Sequence, residues 1–421
     1  MALQSHSMNL TEPLAPNAEW VHESSAQVEI KLYHGHTGPV KSCQLIENKN
    51  WLITGSNDNT ARIWDFQSGK EIHQYKLNHD MAAIPAVRIN QEATRLYSCG
   101  WDKTVRCFDV ETGKEIWKGV HEHIVTNCHI SHDGKSLCSG TDLDSVLSIW
   151  DTATGVMSTR IPNVHESTIT SCQFNIPDDR IITTSTDKTT KFFDLVTHRS
   201  TMTLRGHEGV VSNCTFNKFE RLYATCSWDK TVLLYDATVG SFRREGPLML
   251  PKLHEGSIAA CHMSEDGKLL VTGGYDLRIV LWDLDNMTHK LGLRGHRDWI
   301  NDVCLTSDNT WIISVSNDCD IRLWHVANCD NIKQVIEQNK TLKNAKIISC
   351  SKCRKNFSSN KLQRENGDSA ILCVFCRLEQ KQKNSHYTQI LHDYDRPGVL
   401  NDQVSLKSNF TEPSVPSFQH Y

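Results

Sequence analysis

Between residues 28 and 328 the chain consists of short apolar, β-branched and aromatic runs such as Ala61-Arg62-Ile63-Trp64 and Val232-Leu233-Leu234-Tyr235. Asp-Gly and Ser-Gly pairs, among them Asp133-Gly134 and Ser68-Gly69, punctuate these runs. Runs of this length bounded by turn residues predict strands, and no helical period competes with them. The pattern therefore predicts an all-β region. It ends after Asn328, where residues 330–346 read as a polar, lysine-rich connector.

The runs belong to a repeat. An aromatic followed by a polar residue recurs as Trp64-Asp65, Phe108-Asp109, Trp150-Asp151, Phe193-Asp194, Tyr235-Asp236, Trp282-Asp283 and Trp324-His325, which marks seven units. Six residues before each aromatic stands an aspartate: Asp58, Asp102, Asp144, Asp187, Asp229, Asp276 and Asp318. Each unit also has an upstream histidine, His36, His79, His121, His165, His207, His254 or His296, preceded by glycine in units one, five and seven. A hydroxyl lies four residues before the aspartate in six units: Thr54, Ser98, Thr183, Thr225, Thr272 and Ser314. Unit three departs from this; its Gly-Thr-Asp-Leu-Asp stretch reads as an insertion of about two residues that leaves Ser139 out of step and bulges the turn.

A histidine, an aspartate, a hydroxyl and an indole at fixed spacing predict a buried polar relay in each unit, because buried donors require acceptors. Phe108, Phe193 and Tyr235 have no indole N–H, so units two, four and five are expected to carry shorter, weaker relays. These marks, over about Val28 to Asn328, resemble the WD40 repeat family. The resemblance implies a seven-bladed β-propeller with four antiparallel strands per blade, a central channel, and closure by an N-terminal strand. Val28–Tyr33 is strand-like and has no blade of its own, which suits that closing role and would leave no exposed sheet edge.

The resemblance also implies that ligands meet the face where the histidine loops and aspartate turns emerge. Candidate contacts there are Trp101, Trp228 and Tyr275, each just before an aspartate, and Lys41, Ile124, Trp299 and Asn301, which flank the inner strands. Rigid aromatics on one rim are what interface hot spots use, so we expect a non-enzymatic scaffold that binds protein or peptide partners, with the propeller itself a monomer. Catalytic motifs fail one by one. Gly134-Lys135-Ser136 has His129 where a phosphate-binding loop needs glycine, and a set of Ser/Thr, His and Asp repeated in every unit is what blade construction predicts and an active site does not. A substrate-recruiting subunit of a ubiquitin ligase is an alternative, lowered by the absence of arginine two residues after the blade-end aspartates.

With 421 residues the chain has room for a large array and an appendage. No apolar run approaches a membrane span, and Met1–Ser25 lacks the apolar core of a secretory signal, so an intracellular protein, cytoplasmic or nuclear, is expected. Most of the sixteen cysteines are then expected to be reduced, buried, small apolar residues. Four of them stand apart. Cys350, Cys353, Cys373 and Cys376 form two Cys-x-x-Cys knuckles about nineteen residues apart, the pattern of a closed structural Zn²⁺ site, in a zinc-ribbon-like module over residues 347–380. Residues 340–383 hold eleven basic and three acidic residues, a formal +8 within a chain of −4. Such a module could touch nucleic acid, an acidic partner or its own propeller. Residues 1–27 and 381–421 read as a flexible arm and a disordered tail.

Overall fold

In the computed structural model, the residues described are 28–79, 82–236, 246–332, 335–336, 347–349 and 356–358. The chain divides into two compact units, Met1–Ala345 and Lys346–Tyr421. The N-terminal arm, the tail, all four knuckle cysteines and most of the connector lie outside the described residues.

The first unit holds seven four-stranded antiparallel sheets. Blade one runs outward through Val40–Ile46, Trp51–Ser56, Thr60–Asp65 and Glu71–Lys76. Blades two to six repeat that order. Blade seven takes three strands from the end of the array, Ile300–Leu305, Trp311–Ser316 and Ile321–His325, and its fourth from the beginning. Glu29–Tyr33 pairs antiparallel with Ile321–His325, in register from Glu29 opposite His325 to Tyr33 opposite Ile321. The Tyr33 hydroxyl donates to the Phe66 carbonyl at 2.7 Å and so ties this strand to blade one.

Burial follows position in the blade. The second and third strands are buried almost throughout, while the outermost strand of blade one, Glu71–Lys76, is exposed except at Tyr75. The apolar core is divided into clusters at the seams between neighbouring blades. One joins Tyr33, Val40, Leu52 and Trp64 to Ile313, Val315, Ile321 and Leu323 across the seven–one seam, and another joins Ile53 and Ile63 to Val87, Leu96 and Phe108 across the one–two seam. Each such side chain contributes about 1.5–3 kcal/mol on burial, so every blade depends on its neighbours. In blades one and seven the indole explains the glycine before the histidine. A Cβ on Gly35 would lie 2.8 Å from the Trp64 ring, and one on Gly295 would lie 2.8 Å from Trp324.

The inner strands carry a feature that periodicity did not predict. In six blades the first pair of the inner strand is followed by a bulge, at Lys41, Thr126, Thr170, Ser212, Ala259 and Asn301. A bulged residue leaves the ladder and its side chain is re-aimed. Here several reach the next blade: Thr126 donates to the Ile169 carbonyl at 2.5 Å, Thr170 to Val211 at 2.5 Å, Ser212 to Ile258 at 2.7 Å and the Asn301 amide to Val40 at 2.7 Å. Ring closure thus has a polar seam bond in addition to the apolar clusters.

The second unit contributes one described pairing, Ile347–Ser349 antiparallel to Asn356–Ser358, with Ile348 opposite Phe357. All twelve described cysteines are free thiols and ten are buried.

Candidate functional site

The relay is present in six blades. His36 Nδ1 lies 2.8 Å from Asp58 and its Nε2 2.8 Å from the Thr54 hydroxyl, and the Trp64 indole donates to the same hydroxyl at 2.9 Å. The Thr54 hydroxyl thus accepts from the indole and meets the imidazole Nε2, while Nδ1 faces the carboxylate. Blades six and seven repeat this with Trp282 and Trp324. Blades two, four and five keep the histidine, aspartate and hydroxyl without the indole.

One partner escaped the motif reading. The residue two after the aspartate is threonine in four blades, and Thr60, Thr104, Thr189 and Thr231 each donate a hydroxyl hydrogen bond to that carboxylate. The Asp-x-Thr spacing was the available signal. Burial pushes the carboxyls of Asp58, Asp102, Asp187 and Asp229 upward, but the histidine and threonine hydrogen bonds outweigh it and hold them well below the usual carboxylate range. All these groups are satisfied within the fold and none faces an open reactive space. They are construction.

Blade three corrects two expectations. His121 to Ser139 is eighteen residues, as His36 to Thr54 is, and Ser139 to Trp150 is eleven where Thr54 to Trp64 is ten, so the insertion is one residue and follows Ser139. Ser139 is in step: it lies 3.0 Å from His121 Nε2 and accepts from the Trp150 indole at 2.8 Å. The displaced member is Asp144. It accepts from Thr141 at 2.5 Å and faces Arg160 at 3.3 Å, and His121 Nδ1 has no hydrogen-bond partner among the described residues.

The rim residues separate into two groups. Tyr275 stacks on Trp299, with centroids 4.9 Å apart and planes at 27°, and Trp228 lies 6.5 Å from Tyr275, so blades five to seven carry one continuous aromatic arc. Trp228 and Trp299 are 45% and 50% exposed, as only uncovered large aromatics would be. Trp101, more exposed still, borders the same channel from blade two, two blades beyond Trp299. Lys41 and Asn301 are engaged with each other instead. Lys41 Nζ donates to Asn301 at 3.2 Å and Asn317 at 2.8 Å across the seven–one seam, and burial lowers its pKa despite Asp298 nearby. Ile124 is half-buried on blade three, its carbonyl taken by the Asp142 N–H at 3.1 Å. The channel has a cavity volume of about 1020 Å³ and a polar lining that includes Gln44, Arg88, His129, Gln173 and His262.

Seven four-stranded blades closed by an N-terminal strand, with this relay repeated around the ring, define a seven-bladed β-propeller. The sequence profile described as WD domain, G-beta repeat matches residues 27–65, 69–109, 115–151, 158–194, 198–236, 247–283 and 287–325, and the chain belongs to the WD40 repeat family. Propellers of this family act as scaffolds for protein–protein interaction. The chain is 32% identical to WD repeat-containing protein 88 of Homo sapiens over 39% of its own length and 34% of that protein's. It is 25% identical to WD repeat-containing protein 25 of Mus musculus over 70% of this chain and 57% of that one. It is 23% identical to the guanine nucleotide-binding protein subunit beta of Zea mays, over 60% of this chain and 58% of that one. In all three the chain spans less than two thirds of the relative's length. Among the described residues no helix is long and apolar enough to cross a membrane.

Proposed function

We propose that this chain is a non-enzymatic scaffold whose propeller binds an intracellular protein partner through the aromatic arc of Trp228, Tyr275 and Trp299, with Trp101 extending the surface. The observation that carries this reading is the stacked Tyr275–Trp299 pair with Trp228 beside it, the two indoles about half exposed and Tyr275 partly buried between them. Aromatic rings preassembled in this way bury large area with little loss of side-chain freedom, and truncating one such anchor typically costs about 2 kcal/mol or more of binding. Lys41 and Asn301 contribute by holding the seven–one seam at the end of the arc. Proximity labelling with the full chain and with Trp228→Ala/Trp299→Ala tests it. Partners should be lost from the double variant at an unchanged melting temperature; a full set retained by the folded variant would remove the arc from consideration.

For the second unit we propose a structural Zn²⁺ held by Cys350, Cys353, Cys373 and Cys376. Support comes from the strand pair Ile347–Ser349 and Asn356–Ser358, because the six residues joining these strands include the first knuckle. Nucleic acid is the second reading for this basic unit, and its mark would be binding that weakens steeply with salt.

A further inference from the structure

Blade three differs from the other six in a way that frees ligands. In those six the turn aspartate is consumed by the relay histidine, as Asp229 is by His207 at 3.0 Å. The extra residue after Ser139 takes Asp144 off His121 Nδ1, and its carboxylate meets Thr141 and Arg160 instead. Glu122 and His123 directly follow His121 in its own loop. One donor atom from each of Glu122, His123 and Asp144 lies within 4.8 Å of the others. No other blade has a histidine two residues after its relay histidine; the equivalents are Gly38, Ser167, Gly209, Gly256 and Asp298 in blades one, four, five, six and seven, and Met81 in blade two.

Two further observations concern this corner. His121 Nδ1, the atom that meets the aspartate in the other blades, has no partner among the described residues and is not one of the buried unpaired atoms, so it is open to solvent. In the inserted turn itself, Asp142 Oδ1 is buried and also without a partner. A buried carboxylate oxygen normally costs free energy unless paired. Among the described residues the one positive charge paired with the cluster is Arg160, 3.2 Å from Glu122 and 3.3 Å from Asp144. Its side chain is 45% exposed, so it can swing out into solvent.

We propose that blade three carries a divalent transition-metal site on the propeller rim, formed by His123, Glu122 and Asp144, with Arg160 standing in for the ion when the site is empty. One imidazole and two carboxylates are a donor set that suits Zn²⁺. Three protein ligands leave a coordination position open to water or to a donor from outside the chain. The site does not depend on the aromatic arc or on the knuckle cysteines.

The test is Zn²⁺ titration of the full chain in competition with a chromophoric chelator, for wild type, His123→Ala, Asp144→Asn and Arg160→Ala. Zinc held by thiolates is common to all four and cancels in the comparison. His123→Ala and Asp144→Asn should each lose one equivalent, or weaken that equivalent by more than about tenfold, while Arg160→Ala should tighten it because the competing cation is gone. All three positions lie on the rim, and circular dichroism with melting temperature verifies that each variant folds. Equal stoichiometry and affinity in wild type and both ligand variants would overturn the site, as would weaker binding in Arg160→Ala.

Discussion

The relay aspartates do unequal work, and the difference is measurable. Asp229 accepts from the imidazole of His207, the backbone N–H of Glu208 and Thr231, and the Thr231 hydroxyl. Replacing it by alanine leaves several buried donors without an acceptor, and we expect Asp229→Ala to cost on the order of 2–4 kcal/mol. Asp144 holds one hydroxyl and a half-exposed arginine, so Asp144→Ala should cost less than about 1 kcal/mol. Melting curves of the two variants should therefore separate widely, and equal losses would contradict the displaced position of Asp144. At this scale the sequence was legible wherever spacing was constant. It misled in blade three because the aspartate-to-aromatic spacing is conserved there while the hydroxyl-to-aspartate spacing is not. The eighteen residues from His121 to Ser139, as from His36 to Thr54, were the signal that Asp144 is the member out of step, and the His121–Ser139 and Trp150–Ser139 distances agree.

Among the elements, the closing strand is the one whose removal has the clearest consequence. Glu29–Tyr33 supplies the outer edge of blade seven, the Tyr33 bond to Phe66, and a cation over an aromatic face, with Lys31 Nζ 4.6 Å from the Trp311 ring. Without residues 28–33, Ile321–His325 becomes an open edge, and such edges pair with other chains. A chain beginning at His34 should melt lower and form aggregates in light scattering; a monomer with the full-length melting temperature would show that closure is dispensable. Strand order and closure could be read from the repeat because a seven-fold pattern with one spare strand has few solutions. The seam bonds could not. Thr126, Thr170 and Ser212 look like ordinary half-buried strand residues, and it is the bulge, a backbone event without a sequence mark, that turns them toward the next blade. For the same reason Lys41 and Asn301 were legible as rim residues but not as partners of each other: they are 260 residues apart in sequence and meet only because the ring closes.

On the scale of the whole ring, the channel wall has a second tier of seam bonds three residues deeper, and two of its rungs are imidazoles. His129 Nδ1 accepts from the Phe174 N–H at 3.3 Å, and His262 Nδ1 accepts from the Leu305 N–H at 3.3 Å. Burial pushes both pKa values down from 6.5, to about 3 for His129, with Arg88 and His132 adding to the effect, and to about 4 for His262. A protonated Nδ1 cannot accept a hydrogen bond, so the folded ring holds both residues neutral. The unfolded chain takes up protons near pH 6.5 that the folded chain refuses down to about pH 4. Their stabilising contribution is therefore complete above pH 6.5 and declines as the pH falls toward 4. The relay aspartates, whose pKa values are depressed, add a loss only below the normal carboxylate range near 4. Blade one shows how to remove the histidine part without removing the bond: Gln44 stands at the equivalent position, and its Oε1 accepts from the Ile89 N–H at 2.9 Å. The double variant His129→Gln/His262→Gln should keep both seam bonds and melt like wild type at neutral pH. Between about pH 6.5 and 4.5 its melting temperature should fall less steeply than that of wild type, because two of the titrating groups are gone. Parallel slopes would mean that the acid sensitivity of the ring resides elsewhere than in these two rungs.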